Sequence, residues 1–469
     1  MGSIIRTTRL IGACATLALA TIAASAPAIA DEDGSLHASR TEQIRTEIER
    51  LRLRVERLRA RHARVSRTVP TAAVEAGSKP RSWKLPGSNT SMAIGGFAKL
   101  DLIYDINAAT GDLSTPMLPA DGTAAAGRQG HFRLHARESR LWIKTWTPTD
   151  WGELATHIEG DFFGAGGNQV VSNSHSLRIR HAYGRLGPVL AGQTASTFGD
   201  ASAYPQLLDF RKAFGRTFIL QGVVRYTHNF GGGTTLALAV ENPELAFSRT
   251  SAVAAGAAVA HDPLPDFILR FRHAWAAGHI QLSGLLRRFK VDSGLGGVTP
   301  NSDERDVFGW GVHISGVWRI TRRDAVGGAF KAGRGVGRYI QNNGDADYFF
   351  TPTGGLAGVA TAPNDLFALT MAYGGYAWYR HHWTPALRST LAFGMIWWGD
   401  LGPKSGFPAT PLGPVSSFPH YARSLHANLI WSPVKRVNIG VEYGYFFTAY
   451  INQANAKGHR IQFSFQYFY

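Results

Sequence analysis

The segments between the predicted strands alternate in length, and this alternation restricts the fold more than any other feature of the sequence. From residue 92 onward, apolar residues recur at every second position, which is typical of two-faced β-strands. A long segment such as 195–222 is regularly followed by a short one such as 231–233. Long loops at one end and tight turns at the other, around an even number of antiparallel strands, characterise transmembrane β-barrels. The predicted strands are 93–105, 137–146, 152–162, 176–186, 188–194, 223–230, 234–240, 267–274, 278–291, 308–320, 325–333, 366–380, 386–398, 424–432, 437–447 and 459–469.

A soluble β-sandwich explains this pattern less well, because nothing in its architecture demands alternating loop lengths. After residue 30 the chain holds no apolar run of the roughly twenty residues that a spanning helix needs. We therefore predict an all-β transmembrane barrel of about 16 antiparallel strands over residues 92–469, preceded by a short helix.

The last predicted strand is consistent with a lipid-facing wall. Ile461, Phe463, Phe465 and Tyr467 alternate with mostly polar residues, and the chain ends on Tyr469. This ending resembles the C-terminal signal that the barrel-assembly machinery reads. We therefore expect that machinery and outer-membrane lipid among the partners.

The residues before the barrel divide into three predicted segments. Residues 1–30 have a basic start, an apolar run and a small-residue cleavage motif, which predicts a secretory signal peptide. Cleavage there removes Cys14, the only cysteine, so no disulfide is expected. Residues 31–69 carry apolar residues at spacings of three and four, which predicts a periplasmic coiled coil; a short solvated helix is the alternative. Residues 70–91, rich in proline and glycine, are interpreted as a linker.

The charge balance indicates anionic partners. The chain carries a formal net charge of +16. In an exported barrel this favours small anionic solutes and lipopolysaccharide, and we expect no nucleic acid. The histidine pairs 131/135 and 381/382 lack accompanying cysteine or acidic residues, and no nucleophile, base and acid can be placed together. We therefore expect no metal, no cofactor and no enzymatic activity.

Strand parity predicts which charged residues face the lumen. If Leu177 and Ile179 face lipid, the residues between and beyond them face inward, since charged groups on the lipid face cost a few kcal/mol each near the midplane. The predicted lumen residues are Lys99, Asp101, Arg140, Glu153, Glu159, Asp161, Arg178, Arg180, Arg225, Arg388 and Glu442.

Arg178 and Arg180 lie two positions apart on one predicted strand, about 7 Å along it. That spacing suits a small dianion. We expect their double replacement by Gln to weaken dicarboxylate uptake selectively while leaving folding intact. The alternative is that wall carboxylates brace both side chains, and that they serve the barrel rather than transport.

Short motifs throughout residues 85–469 resemble the DcaP-like family of outer-membrane porins. The resemblance implies a sixteen-stranded homotrimer that passes small organic anions, including dicarboxylates. It is carried by LPGSNTS (85–91), GFAKLD (96–101), ESRL (138–141), IEGDF (158–162), RIRHAY (178–183), GQT (192–194), STF (196–198), LDF (208–210), VRYT (224–227), ENP (241–243), HWTP (382–385), LRST (387–390) and NLIWSP (428–433).

Resemblance to trimeric porins also implies that the loop between the fifth and sixth strands folds into the channel. The apolar content of residues 195–222 agrees with this interpretation, whereas an ordinary external loop is the alternative. Its charged residues are then expected to line a constriction: Asp209, Arg211, Lys212 and Arg216.

Taken together, the residues predict an outer-membrane diffusion porin for dicarboxylate-like anions. The runner-up is a coiled-coil-tethered adhesin or envelope-spacing barrel without an open channel.

Overall fold

A computed structural model describes residues 34–68, 74–108, 111–118, 129–168, 170, 172–244, 247–248, 259–292, 305–340, 348–350, 367–369, 371–399, 419–450 and 454–469. The predicted signal peptide, residues 1–30, lies outside this part of the chain, as do residues 70–73 of the predicted linker. Contacts divide the chain into two compact units, residues 1–74 and 75–469.

The second unit is a closed antiparallel barrel of sixteen strands, as predicted. Each predicted strand overlaps one of the sixteen strands of the wall, and the prediction 366–380 also includes the short strand Phe367–Leu369. In chain order these are β1 Ser91–Asn107, β2 Arg140–Thr149, β3 Gly152–Asp161, β4 Arg178–Leu186, β5 Val189–Ala195, β6 Leu220–Gly231, β7 Thr234–Glu241, β8 Asp266–Trp275, β9 Gly278–Asp292, β10 Arg305–Arg319, β11 Asp324–Arg334, β12 Met371–His382, β13 Leu387–Trp398, β14 Pro419–Trp431, β15 Val437–Tyr450 and β16 Ala456–Phe468.

The ends of the chain close the barrel. β1 pairs with β16 from Phe97↔Phe468 to Asp105↔Arg460, and on its other edge with β2. Closure leaves no open edge in hydrocarbon, where unpaired backbone donors and acceptors are costly. The tight turn between β6 and β7 uses Gly231, Gly232 and Gly233 at φ 79°, 57° and 82°, a conformation that favours glycine.

Short strands extend the sheet and the loops. Part of the predicted linker forms the strand Trp83–Lys84, which pairs with the start of β1. His131–His135 also pairs with β1, and Val259–His261 with β9. The remaining short elements are the strands Gly167–Asn168, Ser174–His175, Phe247–Ser248, Tyr348–Phe350 and Phe367–Leu369 and the 3-10 turns Ala201–Ala203 and Gly337–Tyr339.

The two faces of the wall differ as strand parity predicts. On β16, Phe463 and Tyr467 are exposed, whereas the alternating Gln462 and Ser464 are buried. On β4, Ile179 is exposed and Arg180 is buried. An apolar outer face and a polar inner face are typical of barrels that cross a membrane.

The first unit contains one helix, α1 (Gly34–Thr68). In its central residues the apolar seam is exposed, with Ile44, Ile48, Leu51, Val55 and Leu58 open to solvent. The coiled coil therefore stays a prediction. None of the helical segments in the described residues combines the length and apolar character needed to cross a bilayer.

Deleting residues 31–69 should leave the barrel folded, because α1 contributes no strand to the sheet. We expect an unchanged temperature for conversion of the folded to the unfolded band in detergent gels. A longer deletion, 31–84, also removes the strand that pairs with β1 and should lower that temperature. Loss of the folded band in the shorter deletion would contradict this prediction.

Candidate functional site

The loop that connects β5 to β6 runs across the inside of the barrel. We call residues 196–219 the inner loop. Its Ala203 carbonyl accepts a hydrogen bond from Nε1 of Trp378 on β12 (2.7 Å). Its Phe214 amide donates to Oγ of Ser424 on β14 (2.9 Å). The loop therefore reaches inner-face residues on strands distant from the two that it connects.

Apolar side chains explain why this loop turns inward. Phe198, Leu207, Leu208 and Phe214 are buried. Phe198 and Phe214 belong to a hydrophobic cluster to which the strands also contribute, for example through Ile396 of β13. Burying a side chain of this size stabilises the arrangement by roughly 1.5–3 kcal/mol. The inner loop thus carries its own hydrophobic core into the lumen.

The centre of the inner loop is held by charged groups of the wall. Glu442 on β15 accepts hydrogen bonds from the backbone amides of Leu208 (2.7 Å) and Asp209 (3.2 Å). Nζ of Lys99 on β1 donates to the Leu208 carbonyl (2.8 Å). The Asp209 carboxylate lies 3.4 Å from Nη1 of Arg460 on β16. These residues anchor the loop.

The start of the inner loop is fixed by one carboxylate. Asp200 accepts hydrogen bonds from Oγ of Ser315 on β10 (2.9 Å) and contacts Nε2 of His279 on β9 (2.7 Å). Nη1 of Arg272 on β8 lies 3.3 Å away. The loop is thereby attached to the wall along most of its length.

These attachments divide the inner wall into two parts. On β9–β16, four inner-face residues are at most 1% exposed: Gln281, His313, Lys331 and His426. On β2–β8, by contrast, the side chains of Arg140, Arg178, Arg185 and Arg272 are 21–43% exposed. We call the inner face of β2–β8 the open wall. It is basic, and it offers a solute the more accessible side of the lumen.

Carboxylates neutralise the arginines at one end of the open wall. Arg178 forms a two-pronged pair with Asp161, with Nε–Oδ1 and Nη2–Oδ2 distances of 2.9 and 2.8 Å. Arg180 bonds Glu159 (2.8 Å) and Asp161 (2.9 Å). Arg140 lies 3.6 Å from Glu159. The contacts of Arg178 and Arg180 are those of the bracing alternative, since both guanidiniums already have carboxylate partners.

A β-bulge arranges this cluster. Glu159 opposes His181 and Gly160 opposes Ile179, so Arg180 has no partner in the register. As a result, Arg180 and His181 both lie on the inner side, where the His181 ring stacks on His157 with centroids 4.9 Å apart. Bulges redirect side chains in this way. Strict alternation along the sequence gives no sign of it.

Aromatic rings of the inner loop surround a further guanidinium. Arg216 lies over the rings of Phe218 (4.5 Å) and Phe210 (5.5 Å), and Arg178 lies over the same two rings from the wall. The Nε atom of Arg216 is buried without a hydrogen-bond partner in the part of the chain that the structure describes. The loop therefore adds positive charge facing the open wall.

Two arginines on the open wall have no carboxylate within ion-pair distance among the described residues. Arg225 on β6 has one long contact, 3.5 Å from Nη1 to Oγ1 of Thr197. The buried Nε atom of Arg270 on β8 has no hydrogen-bond partner there. Arg270 interacts electrostatically with Arg225 and Arg272, so their positive charges reinforce one another. No carboxylate forms an ion pair with either group in the described part of the chain, although Glu241 interacts electrostatically with both. Without an ion-pair partner, these guanidiniums can attract an anion.

The predicted site residues fall into groups. Lys99 and Glu442 hold the inner loop from the wall, and Asp209 is the loop residue that contacts Arg460. Asp101 accepts a hydrogen bond from Gln462 (2.8 Å). Arg388 binds neutral oxygens of Gln206, Ser432 and Asn438 at 2.8, 2.8 and 3.1 Å. Arg211 and Lys212 are half-buried on the inner loop. Glu153 pairs with Arg185 (3.0 Å).

Sequence reasoning missed Arg270, Arg272 and Asp200. Parity alone identifies Arg270, because Leu269 and Phe271 on either side of it are exposed. The role of Asp200 depends on residues far along the chain, and nothing near it in sequence indicates them.

Replacing Arg178 and Arg180 together by Gln should destabilise the barrel, because Asp161 and Glu159 then lose their countercharges. Breaking a buried ion pair in this way costs about 3–5 kcal/mol. We expect a lower midpoint of urea unfolding, measured in lipid vesicles. Adding Asp161→Asn and Glu159→Gln should restore much of the loss. A double variant that folds as stably as the parent and loses only dicarboxylate uptake would contradict this expectation.

Lys212 should make the lumen charge pH-dependent. Burial lowers the pKa of Lys212 to about 8, although Glu138 opposes the shift. The ammonium is charged below this pKa and loses its charge as the pH rises through it. Selectivity for anions, measured by reversal potentials, should therefore fall around pH 8. Lys212→Met should lack the step at all pH values and Lys212→Arg should keep the low-pH selectivity; persistence of the step in Lys212→Met would assign it to another group.

Comparisons with known proteins agree with this architecture. The DcaP outer membrane protein family model matches residues 76–469. The crystal structure of the outer membrane channel DcaP of Acinetobacter baumannii superposes with a TM-score of 0.67 at 22% identity, covering 84% of this chain and 100% of that one. An anion-selective porin from Comamonas acidovorans gives a TM-score of 0.51 at 10% identity, covering 81% and 100%. No match was found among curated protein sequences.

The structural likeness shows the fold of porin channels of the outer membrane, which is a channel fold and not that of an enzyme. The family match covers the whole barrel, from residue 76, before β1, to residue 469. The chain therefore belongs to the DcaP outer membrane protein family.

Proposed function

We propose that this protein is a diffusion channel for small organic anions, with dicarboxylate-like solutes as the substrate class. The observation that carries the proposal is the presence of guanidiniums without an ion-pair partner beside the accessible part of the lumen. Arg225 and Arg270 have no carboxylate partner among the described residues, and Arg216 faces the same wall from the inner loop.

Electrostatics favours anions on such a path. Arginine keeps its proton at any physiological pH, and its planar fork matches a carboxylate through two hydrogen bonds. In a narrow lumen with low-dielectric walls, fixed charges act more strongly than on an open surface. Charged rings select ions in other pores on the same principle. Two neighbouring uncompensated charges favour a dianion over a monoanion of similar size.

The fold comparison supports the proposal only as far as architecture. The Comamonas acidovorans porin is described as anion-selective, and the two chains share a barrel at 10% identity. The argument for this chain therefore depends on its own arginines. Membership of the DcaP family supports the channel role without specifying the solute.

Assembly and location complete the proposal. We infer that residues 1–30 direct export and are removed, that residues 31–69 form a coiled coil in the periplasm, and that the barrel functions as a homotrimer in contact with lipopolysaccharide. The exposed apolar seam of α1 supports a helical partner, since single-chain burial leaves Leu51 and Leu58 open. The C-terminal aromatic strand supports insertion by the barrel-assembly machinery.

An alternative function follows from the inner loop. Because the loop covers the inner face of β9–β16, a closed barrel with an adhesive or spacing role is the competing reading. Single-channel recordings in planar bilayers separate the two. Discrete conductance steps support the channel, whereas their absence supports the closed barrel.

Replacing Arg225 and Arg270 together by Gln should reduce the anion-to-cation permeability ratio roughly fivefold, because a unit charge at 4 Å contributes about 1 kcal/mol even in water. Reversal potentials under a salt gradient measure this ratio. Uptake of a dicarboxylate into loaded vesicles should fall more than uptake of an uncharged solute of equal size. The difference should shrink at molar salt, where the Debye length is about 3 Å.

Arg185→Gln is the matched control. This substitution removes a guanidinium of the open wall, on β4, that already has a carboxylate partner, Glu153. Glu153 keeps its contact with Lys79 (2.7 Å) in the variant. The control should change selectivity little. Equal effects of both replacements, or cation preference in the parent, would refute the proposed pathway.

A further inference from the structure

The outer surface of the barrel carries a long apolar groove. It has a volume of about 920 Å³ and extends from Trp275 on β8 to Leu425 on β14. Large side chains form its sides, among them Ile314, Trp318, Phe330, Tyr379 and Phe393. A second apolar groove, of about 740 Å³, lies over β6–β10. The larger groove differs from it in ending beside a basic turn.

The register of three strands produces the groove. Gly316 on β10 pairs with Gly328 on β11, and Gly328 pairs with Ala377 on β12. These three outward positions lack bulky side chains. Two positions away in each direction, larger side chains project outward again. Trp318 pairs with Val326 on one side, and Ile314 pairs with Phe330 on the other. The floor of the groove therefore consists of glycine Cα atoms and the methyl group of Ala377, with the backbone polar groups paired within the sheet. This surface suits a hydrocarbon chain.

The groove lies in the half of the wall next to the short turns, which face the periplasm in outer-membrane barrels. Trp275, Trp318 and Trp383 are exposed at the ends of the strands that form it. Indole rings prefer the level of lipid headgroups. The groove therefore opens where the inner leaflet meets water, and that leaflet consists of phospholipid.

Positive charge stands at this opening. Arg319, Arg322 and Arg323 are exposed at the turn between β10 and β11. Among the described residues, no carboxylate pairs with Arg322 or Arg323. The acid next in sequence, Asp324, is engaged by Nδ1 of His381 (2.7 Å) and the hydroxyl of Tyr379 (2.6 Å). Two guanidiniums are thus available for an anionic headgroup.

Backbone contacts join this turn to the groove. The His382 amide donates to the Arg323 carbonyl (2.9 Å), which holds the arginine turn beside the turn that follows β12. Trp318, the residue before Arg319, lines the groove. The basic turn and the apolar groove therefore form one surface, charged where a headgroup lies and apolar where an acyl chain lies.

The geometry points to a specific site for an anionic glycerophospholipid of the inner leaflet. Its phosphate lies against Arg322 and Arg323, and one acyl chain occupies the groove over Gly316, Gly328 and Ala377. Guanidinium groups bind phosphate through two parallel hydrogen bonds. Basic clusters at a membrane surface attract anionic lipids in the same way. A zwitterionic lipid fills the groove equally well but gains less from the arginines.

Tryptophan quenching in vesicles tests the site directly. The full-length protein is reconstituted in phosphatidylcholine with a small fraction of either phosphatidylglycerol or phosphatidylcholine carrying brominated acyl chains. Bromine quenches nearby indoles, and Trp275 and Trp318 line the groove. We expect brominated phosphatidylglycerol to quench far more than its share of the lipid, and brominated phosphatidylcholine to quench in proportion.

Two variants separate the headgroup from the chain. Arg322→Gln with Arg323→Gln should lower the preference for phosphatidylglycerol roughly tenfold. Ala377→Leu should fill the groove and reduce the excess quenching even though the arginines remain. Ala377 is chosen over Gly328 because a Cβ at Gly328 would lie 2.5 Å from the Tyr376 carbonyl oxygen. The matched control is Lys435→Gln with Arg436→Gln, which removes two exposed basic residues from the turn between β14 and β15. It should leave the preference unchanged.

Three results overturn the inference. Equal quenching by the two brominated lipids in the parent protein removes the headgroup preference. An equal loss in the Lys435 and Arg436 control shows a general surface-charge effect. Disulfide cross-linking between copies through Ala377→Cys shows that a second chain covers the groove instead of a lipid.

Discussion

Backbone hydrogen bonding in hydrocarbon is the constraint on which this structure depends. A strand edge exposed to lipid leaves donors and acceptors unpaired at a cost of several kcal/mol each, so the sheet has to close on itself. Closure joins β1 to β16, and it encloses an interior too wide for wall side chains alone to fill. The inner loop occupies part of that interior, and its attachment to β9–β16 leaves the open wall on the opposite side.

The charged residues of the described inner wall differ in whether a carboxylate forms an ion pair with them. Lys99 and Glu442 are buried, and both are satisfied by the inner loop or by neighbouring wall residues. Arg178 and Arg180 are matched with carboxylates. Arg225 and Arg270 are half-buried and lack such partners among the described residues. The arginines of the inner face therefore differ in their partners, although all of these side chains point inward.

Much of the fold could be predicted from local sequence, and much of the site could not. Strand number, strand position and the inward direction of Lys99 or Arg225 follow from period-two alternation, which needs only neighbouring residues. The bulge at Arg180 breaks the alternation without altering composition. The bond from the Leu208 amide to Glu442 joins residues 234 positions apart, and no local pattern encodes such a pair. Contacts between distant residues decide which arginines are neutralised. The solute path that we propose could therefore not be predicted from the sequence alone.

The anchoring of the inner loop has a consequence for biogenesis. Leu208 and Asp209 are held by Lys99 on the first strand and by Glu442 and Arg460 on the last two. Until β1 and β16 pair, these holding groups from the two ends of the chain are not brought together, and the loop lacks part of its attachment. Contacts between such distant residues form late because of the entropy of closing the intervening chain. We therefore expect the inner loop to take its final position only when the barrel closes, so that the closure of the wall also sets the final width of the lumen.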